Sequence, residues 1–312
     1  MTPEPVSGAS LVAEAESYRG ELTAYCYRFF ASYAEAEDAV QETLFRAWGG
    51  GAGFEGRSSV LRWLYAIASH VCLDMAKACQ RRSLPTDLHS PGSVPATGDA
   101  LDRGDEAVWV SPVADHLLSD DPADAAVQVE SVRLAFLVAL QSLPPRQRVV
   151  LILRDVLAWS AAECAELLDS SAASVNSALA RARTTLRHRQ EQVPAEDSGV
   201  DRRVLGAYVA AFSAYDVDRL VGLLAEDARF SMPPYTLWLE GREDIEQWWR
   251  GPGQVCRNSE VLLTGVNRQP AVAVFHDGAP FAVHVLGTRD GRITSITHFM
   301  GTRFFEDLRL DR

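Results

Sequence analysis

Residues 142–190 constrain the chain most tightly, because they spell a helix-turn-helix. Ser142-Leu143-Pro144-Pro145 opens a helix over Arg146–Asp155, with Val149, Val150, Ile152 and Leu153 apolar. Proline is tolerated there because the first-turn N–H groups lack helical partners anyway. Leu157-Ala158-Trp159-Ser160 interrupts the helix. Ser160, with Glu163 three residues on, makes a capping box and starts a short helix over Ala161–Leu168. Asp169-Ser170-Ser171 supplies a turn, and a third helix runs over Ala172–Arg189. Val175, Leu179, Ala182 and Leu186 mark its inward stripe, so Ser174, Asn176, Ser177, Arg181, Arg183 and Arg187 face elsewhere. No acid falls between Ser170 and Gln190. Short polar side chains near the start of such a helix can approach base edges, and arginines reach phosphate or guanine. A three-helix bundle with a basic face would use the same residues. Spacing, cap and charge together favour DNA binding.

The rest of the chain tempers that reading. Its formal net charge is −12, which argues against a protein that coats nucleic acid by charge alone. The charge is uneven: acids crowd residues 84–130, where Arg103 is the one base, whereas arginines dominate 131–190. An acidic chain can carry a basic reading surface if a partner supplies most of the affinity. No run approaches the ~20 apolar residues that span a bilayer, and the N-terminus has neither a basic nor an apolar leader segment. A cytoplasmic protein without a membrane partner is expected. Cys26, Cys72, Cys79, Cys164 and Cys256 form no CxxC pair and are read as small buried hydrophobes. Neither a metal nor a cofactor is expected.

The N-terminal block is also helical. In Ala34–Trp48, Val40, Leu44 and Trp48 recur as a core stripe, while Asp38, Gln41, Glu42 and Phe45 share another face. A polar face carrying a large aromatic suits protein docking, although an ordinary solvated face would look similar. A glycine-rich loop, Gly49–Ser59, holds Phe54, Arg57 and Ser58. The helix predicted to follow, Val60–Arg82, has Leu61, Leu64, Ala68, Val71 and Met75 on one stripe and Trp63, Ile67, His70, Asp74, Lys77 and Arg81 on another. Its basic end suits the helix dipole and would equally suit phosphates.

EAEDAVQETLFRAW followed by WLYAIASHVCLDMAKACQRR resembles region 2 of bacterial sigma-70-family factors. LPPRQRVVLILRDVLAWSAAECAELLDSSAASVNSALARARTTLR resembles region 4. Two such regions joined by a variable linker resemble the extracytoplasmic-function group. The resemblance implies promoter-directed transcription initiation with bacterial core RNA polymerase and promoter DNA as partners. It implies polymerase contacts through Asp38, Gln41, Glu42 and Phe45. It implies −10 element recognition through Arg57, Ser58, Trp63, His70, Lys77 and Arg81, by capture of unstacked bases. It implies −35 recognition through Ser174, Asn176, Ser177, Arg181 and Arg183. His70 stands where the family often has Asn, Lys77 where it often has Arg, and Asn176 where it often has Lys, so individual base preferences are expected to differ.

The expected division is an N-terminal extension (1–16), region 2 (17–83), a flexible acidic linker (84–126), region 4 (127–192), a tether (193–200) and a C-terminal domain (201–312). Within the linker Val108, Trp109, Val110, Leu117 and Leu118 are apolar enough to dock on a neighbour. The last domain alternates differently. Helices over Asp201–Ala214, Val217–Ala225 and Glu243–Arg250 are interspersed with strands over Ala228–Met232, Tyr235–Leu239, Val261–Val266, Ala271–His276, Phe281–Arg289 and Ile293–Met300. His276-Asp277-Gly278 and Arg289-Asp290-Gly291 read as hairpin turns. This order, with PPYTLWLEGREDIEQWW, resembles SnoaL-like members of the nuclear-transport-factor-2 superfamily. The fold class is therefore two all-α domains plus an α+β cone-shaped barrel.

The SnoaL resemblance implies modulation of the factor in cis. A small-molecule ligand or a regulatory protein is the further candidate partner there, with Tyr235, Trp238, Trp249, His284 and His298 as pocket residues. No aspartate falls inside a predicted strand beside either histidine, so no catalysis is expected. Two rivals remain at this point: a ligand-sensing helix-turn-helix regulator that works without polymerase, and a SnoaL-type enzyme fused to a DNA-binding segment.

Overall fold

A computed structural model describes residues 14–49, 54, 56, 58–79, 81–118, 131–192, 201–301 and 303–310. The predicted tether, most of the N-terminal extension, the end of the linker and Arg57 lie outside the described residues. The chain forms two compact units, one of residues 1–81 and 116–189, the other of 82–115 and 190–312.

The first unit is helical. Helix α1 (Arg19–Phe30) is buried from Leu22 to Phe30. Helices α2 (Tyr33–Gly49) and α3 (Val60–Met75) pack on it, as does α4 (Leu134–Gln141). Even its polar groups are satisfied internally: Tyr25 Oη pairs with Ser69 Oγ at 2.6 Å, and Arg28 Nε donates to Ser131 Oγ at 2.7 Å. The sharp bend into α2 falls on Ala31, whose left-handed backbone (φ 54°) lets its N–H reach Tyr27 O at 2.8 Å.

Two expectations about α2 and α3 are corrected. The buried stripe of α2 is Ala36, Ala39, Val40, Thr43 and Ala47, small residues that allow close approach. Trp48 is 70% exposed rather than in the core. A strict four-residue spacing drifts by about 40° per step around a 3.6-residue helix, so a stripe begun at Val40 leaves the core by Trp48. Helix α3 begins as predicted, with the Ser59 hydroxyl accepting from Arg62 N–H, but ends at Met75 rather than Arg82. Beyond the helix end, Arg81 Nε donates to Gln141 O at 2.6 Å.

Helix α5 (Pro145–Leu151) passes into one π-type turn, Ile152–Val156, instead of continuing as α-helix to Asp155. Helix α6 (Ala161–Leu167) carries the predicted capping box between Ser160 and Glu163. Asp169 supplies the turn with φ 46°, and α7 (Ala172–Gln192) follows. Val175, Leu179, Ala182 and Leu186 are all buried, as the spacing requires.

The second unit is α+β. Helices α8 (Arg202–Ser213), α9 (Val217–Leu223) and α10 (Arg242–Arg250) accompany a six-stranded sheet. Its strands are β1 (Leu224–Ser231), β2 (Trp238–Glu240), β3 (Glu260–Val266), β4 (Gln269–His276), β5 (Ala279–Arg289) and β6 (Arg292–Met300), in the order β2-β1-β6-β5-β4-β3. Only β1 and β6 run parallel. Tyr208, Phe212, Phe230, Leu239, Ile245, Trp249, Leu286 and Ile296 fill the core between helices and sheet. Both predicted Asp-Gly turns form with positive φ at each central residue. The predicted strand from Tyr235 shrinks to Trp238–Glu240. The segment before it is held instead by Tyr235 N–H to Met232 O at 2.8 Å and a single bridge from Tyr235 to Arg103.

The linker expectation is corrected most. Residues 82–115 are not a free tether but a strap on the second unit. Gly92 N–H donates to Trp238 O, Gly104 N–H to Pro234 O, and Thr236 N–H to Asp102 O. Asn267 N–H donates to Val113 O at 3.0 Å, and Arg268 N–H to Asp115 Oδ1 at 2.6 Å. The strap also folds on itself, with Ser83 bridging Trp109 and Arg82 Nη1 donating to Glu106 O and Trp109 O. Proline and glycine forbid long regular elements without forbidding order: these backbone groups find partners on the domain beneath.

Candidate nucleic-acid interface

On α2, Asp38 and Gln41 are exposed, Glu42 is half-buried and pairs with Arg46 at 2.7 Å, and Phe45 is 65% exposed. The predicted docking face therefore exists as a surface. The structure adds Trp48, which the core-stripe reading had hidden. Two large aromatics on a helix whose buried side is made of small residues are the signal that would have found it.

The α3 stripe divides. Trp63 is half-buried and tilts against Phe54 at 5.2 Å. His70 is exposed, its Nδ1 2.9 Å from Ala66 O. Ser58 is exposed at the loop end. Lys77 pairs with Asp74 at 3.0 Å, and Arg46 approaches the same carboxylate at 3.4 Å. The Lys77 hydrogen bond is the main reason the Asp74 carboxyl titrates below its ordinary range. Arg81 turns away to Gln141 O. At the start of α3, Arg62 is bonded to Glu163 and lies over the Trp159 ring, 5.1 Å from its centre. The helix-turn-helix thus packs beside the same stripe.

On α7, Ser174, Asn176, Ser177, Arg181, Arg183 and Arg187 are exposed together. Ser171 Oγ accepts from Ser174 N–H at 3.1 Å, which secures the helix start. Arg146 Nη2 caps the end of α6 at Leu168 O, 2.6 Å. Arg183 is engaged by Asp155 at 2.6 Å, so it lies on the predicted face but is committed to its own scaffold.

In the second unit, Trp249 and His298 meet Phe230 from different sides, His284 stacks on His298, and Trp238 is not among them. Trp238 lies opposite Ser231 in the β1–β2 register, while its neighbour Leu239 lies opposite Phe230 in the core. Trp238 Nε1 donates to His89 O of the strap at 2.7 Å. Tyr235 is half-buried and packs at the core's edge. His284 and His298 are cross-strand partners stacked 3.4 Å apart and nearly parallel. Tyr208 Oη lies 3.0 Å from His284 Nδ1, and Phe230 meets His298 edge-on at 4.7 Å. Burial holds both imidazoles far below their ordinary range, His298 to about 3; the neighbouring His298 adds to the effect on His284. Both are therefore neutral. The expectation about aspartates needs amending: β1 starts earlier than predicted and includes Asp227. That residue is exposed and bound to Arg289 at 3.0 Å, so it does not face the histidines.

Sigma-70 region 2 matches residues 15–82, sigma-70 region 4 matches 133–186, and a SnoaL-like domain matches 205–306. Fold and matches together define a sigma-70-type transcription factor extended by a SnoaL-like domain. The chain is 42% identical over 306 residues to the ECF RNA polymerase sigma factor SigG of Mycobacterium tuberculosis, covering 94% of this chain and 82% of that protein. It is 30% identical over 307 residues to SigJ of the same organism, covering 91% and 90%. The crystal structure of SigJ shares the fold, with a TM-score of 0.60 at 24% identity over 95% of this chain and 98% of that one. The chain belongs to the ECF RNA polymerase sigma factors. Among the described residues no helix is long and apolar enough to cross a membrane.

Proposed function

We propose that this sigma factor docks on core RNA polymerase through the α2 face of Asp38, Gln41, Glu42, Phe45 and Trp48. It reads a −10 element with the α3 stripe, through Trp63, His70 and Lys77, and with the loop that precedes it. It reads a −35 element with Ser174, Asn176, Ser177 and Arg181. The carrying observation is the exposed aromatic pair Phe45 and Trp48. A stand-alone helix-turn-helix regulator has no use for such a surface, whereas a polymerase-docking helix does. The acidic net charge fits the same reading, since promoter affinity then comes through the polymerase.

The SnoaL-like domain acts in cis as a binding module. Support comes from the strap: the segment that joins the two sigma regions is itself hydrogen-bonded to that domain, so whatever the domain binds can act on the joining segment. Its two core histidines are neutral and packed between aromatic rings, which suits recognition more than proton transfer.

The test is run-off transcription with core polymerase on genomic fragments, including the gene's own promoter, alongside duplex binding without polymerase. Core-dependent transcripts with weak core-free binding are expected. Nanomolar core-free binding without transcripts would instead mark a regulator that works alone.

A further inference from the structure

On α3, His70 is exposed, and its imidazole bends back on its own helix, with Nδ1 2.9 Å from Ala66 O one turn before. A carbonyl oxygen only accepts, so Nδ1 carries the proton and donates. In a neutral imidazole the other nitrogen then has no hydrogen. Nε2 is left with a lone pair, on the part of the ring turned away from the Ala66 carbonyl. The backbone bond thus makes this side chain a fixed acceptor, whereas an unbonded histidine could present either tautomer.

A carboxylate at Nε2 would hold a second proton on the ring and turn the acceptor into a donor. Asp74, one turn on, is the carboxylate placed to do so, and it is engaged elsewhere. Lys77 Nζ donates to its Oδ1 at 3.0 Å, and Arg46 Nη1 approaches its Oδ2 at 3.4 Å. Among the described residues no hydrogen bond or ion pair joins it to His70.

We propose that His70 Nε2 accepts a hydrogen bond from the exocyclic amino group of an unstacked adenine or cytosine in the −10 element. The inference rests on the −10 reading proposed above and adds to it the chemical class of base. Adenine and cytosine carry an amino donor at the corner where guanine and thymine carry a carbonyl oxygen. Nε2 facing that oxygen sets acceptor against acceptor and leaves both without a partner, which discriminates more sharply than a missing contact between groups that stay solvated. An asparagine at this position has a donor and an acceptor on one amide and can turn to suit either class. His70, held by Ala66 O, cannot, so it narrows the choice to amino bases.

Binding of the full chain, assembled with core polymerase, to forked promoter templates tests this at about pH 8, where ordinary histidines are neutral. Each non-template base of the −10 element is varied in turn. Every adenine is then replaced by purine and every cytosine by pyrimidinone, analogues that lack only the amino group. The wild type should lose about fivefold in affinity at one position when the amino group is removed. His70→Ala should bind the natural and the analogue template equally at that position. His70→Lys, whose side chain only donates, should prefer guanine or thymine there. Lys77→Ala should weaken both templates alike and keep their ratio. Two results would overturn the inference while leaving the −10 reading in place: −10 dependence in the wild type with no cost for any missing amino group, or the same discrimination surviving in His70→Ala. A ratio abolished by Lys77→Ala as fully as by His70→Ala would overturn it as well. If no −10 position affects binding, the −10 reading fails and the inference fails with it.

Discussion

Arg183 grips Asp155 with two hydrogen bonds, Nε to Oδ2 at 2.9 Å and Nη2 to Oδ1 at 2.6 Å. Asp155 lies in the π-type turn that ends α5, so this fork ties α7 to the helix beneath it. Arg183 therefore orients α7, and the proposed −35 reading rests on Arg181 rather than on Arg183.

The two arginines should separate experimentally. Arg181→Ala should cost about 1–3 kcal/mol at one base position if it makes a bidentate base contact. Arg183→Ala and Asp155→Asn should instead lower the melting temperature slightly. The pair is partly exposed, so about 1 kcal/mol or less is expected, with promoter binding weakened evenly across −35 variants. Binding titrations on a panel of −35 substitutions, paired with thermal melts, decide it. A position-specific loss in Arg183→Ala would reverse the assignment.

On the docking face, Phe45→Ala with Trp48→Ala should weaken core polymerase binding at least tenfold. Surface substitutions usually shift stability by under ~0.5 kcal/mol, so the melt should hardly move. Adding Gln41→Ala should weaken binding further. Co-purification with core polymerase is the measurement, and undiminished recovery of the double variant would remove α2 from the interface.

Glu163 serves two partners: Oε2 accepts from Ser160 N–H at 2.7 Å, while Oε1 meets Arg62 of α3. Glu163→Gln keeps an acceptor for the cap and loses the charge. Both side chains are about two-fifths exposed, so a loss of about 1 kcal/mol or less is expected. That is enough to raise by a few-fold the population in which the two sigma regions are apart. Energy transfer between labels on the two regions reads it, and an unchanged distance distribution would show that the pair contributes nothing to closure.

Much of this was legible in the residues, and the failures have causes. The capping box at Ser160 and the stripe Val175, Leu179, Ala182, Leu186 are local signals, and they appear as read. The Asp-Gly turns are local too. Trp48 was misplaced because apolar character alone cannot tell a core residue from an exposed one; the small residues Ala36, Ala39, Thr43 and Ala47 carried that information. The apolar residues of the strap were legible, but its ordered course was not, because that order comes from hydrogen bonds to residues 234–268, and no sequence period records such pairing. Trp238 does not join the histidines because strand parity depends on register, and the β1–β2 pairing puts Leu239, not Trp238, on the core side.

The stacked histidines make stability depend on pH. An unfolded histidine titrates near ~6.5, whereas folded His298 titrates at about 3 and His284 well below its ordinary value. Between about 3 and 6.5 the unfolded chain binds more protons than the folded one. Stability therefore rises with pH across that window and falls on acidification. Fully developed, the pair gives a slope of about 2.7 kcal/mol per pH unit. Urea melts from pH 7.5 down to 4.5 should show the decline, and His298→Gln should remove about half of the slope. Equal slopes in the two proteins would mean that His298 is accessible to protons in the folded state.

The strap offers the sharpest test of regulation in cis. Trp109 is 5% exposed, and a Cβ added at Gly104 would come within 2.6 Å of its ring, so glycine is what lets the strap close over it. Losing a well-packed tryptophan typically costs about 3–5 kcal/mol. Trp109→Ala should therefore raise cleavage between residues 90 and 115 by at least roughly a hundredfold under limiting protease, at ~1.4 kcal/mol per tenfold. Gly104→Val should do the same by displacing the ring. A truncation after Gln192 removes the surface that Val113 and Asp115 bond to at Asn267 and Arg268, so its strap should be cleaved fastest. Both ends of the strap continue into sigma regions, so releasing it lengthens the reach between them. Core-dependent transcription should then shift in Trp109→Ala in the same direction as in the truncation, and by less. If cleavage rises while transcription stays equal to wild type at every promoter, the strap is only packing and the domain does not act through it.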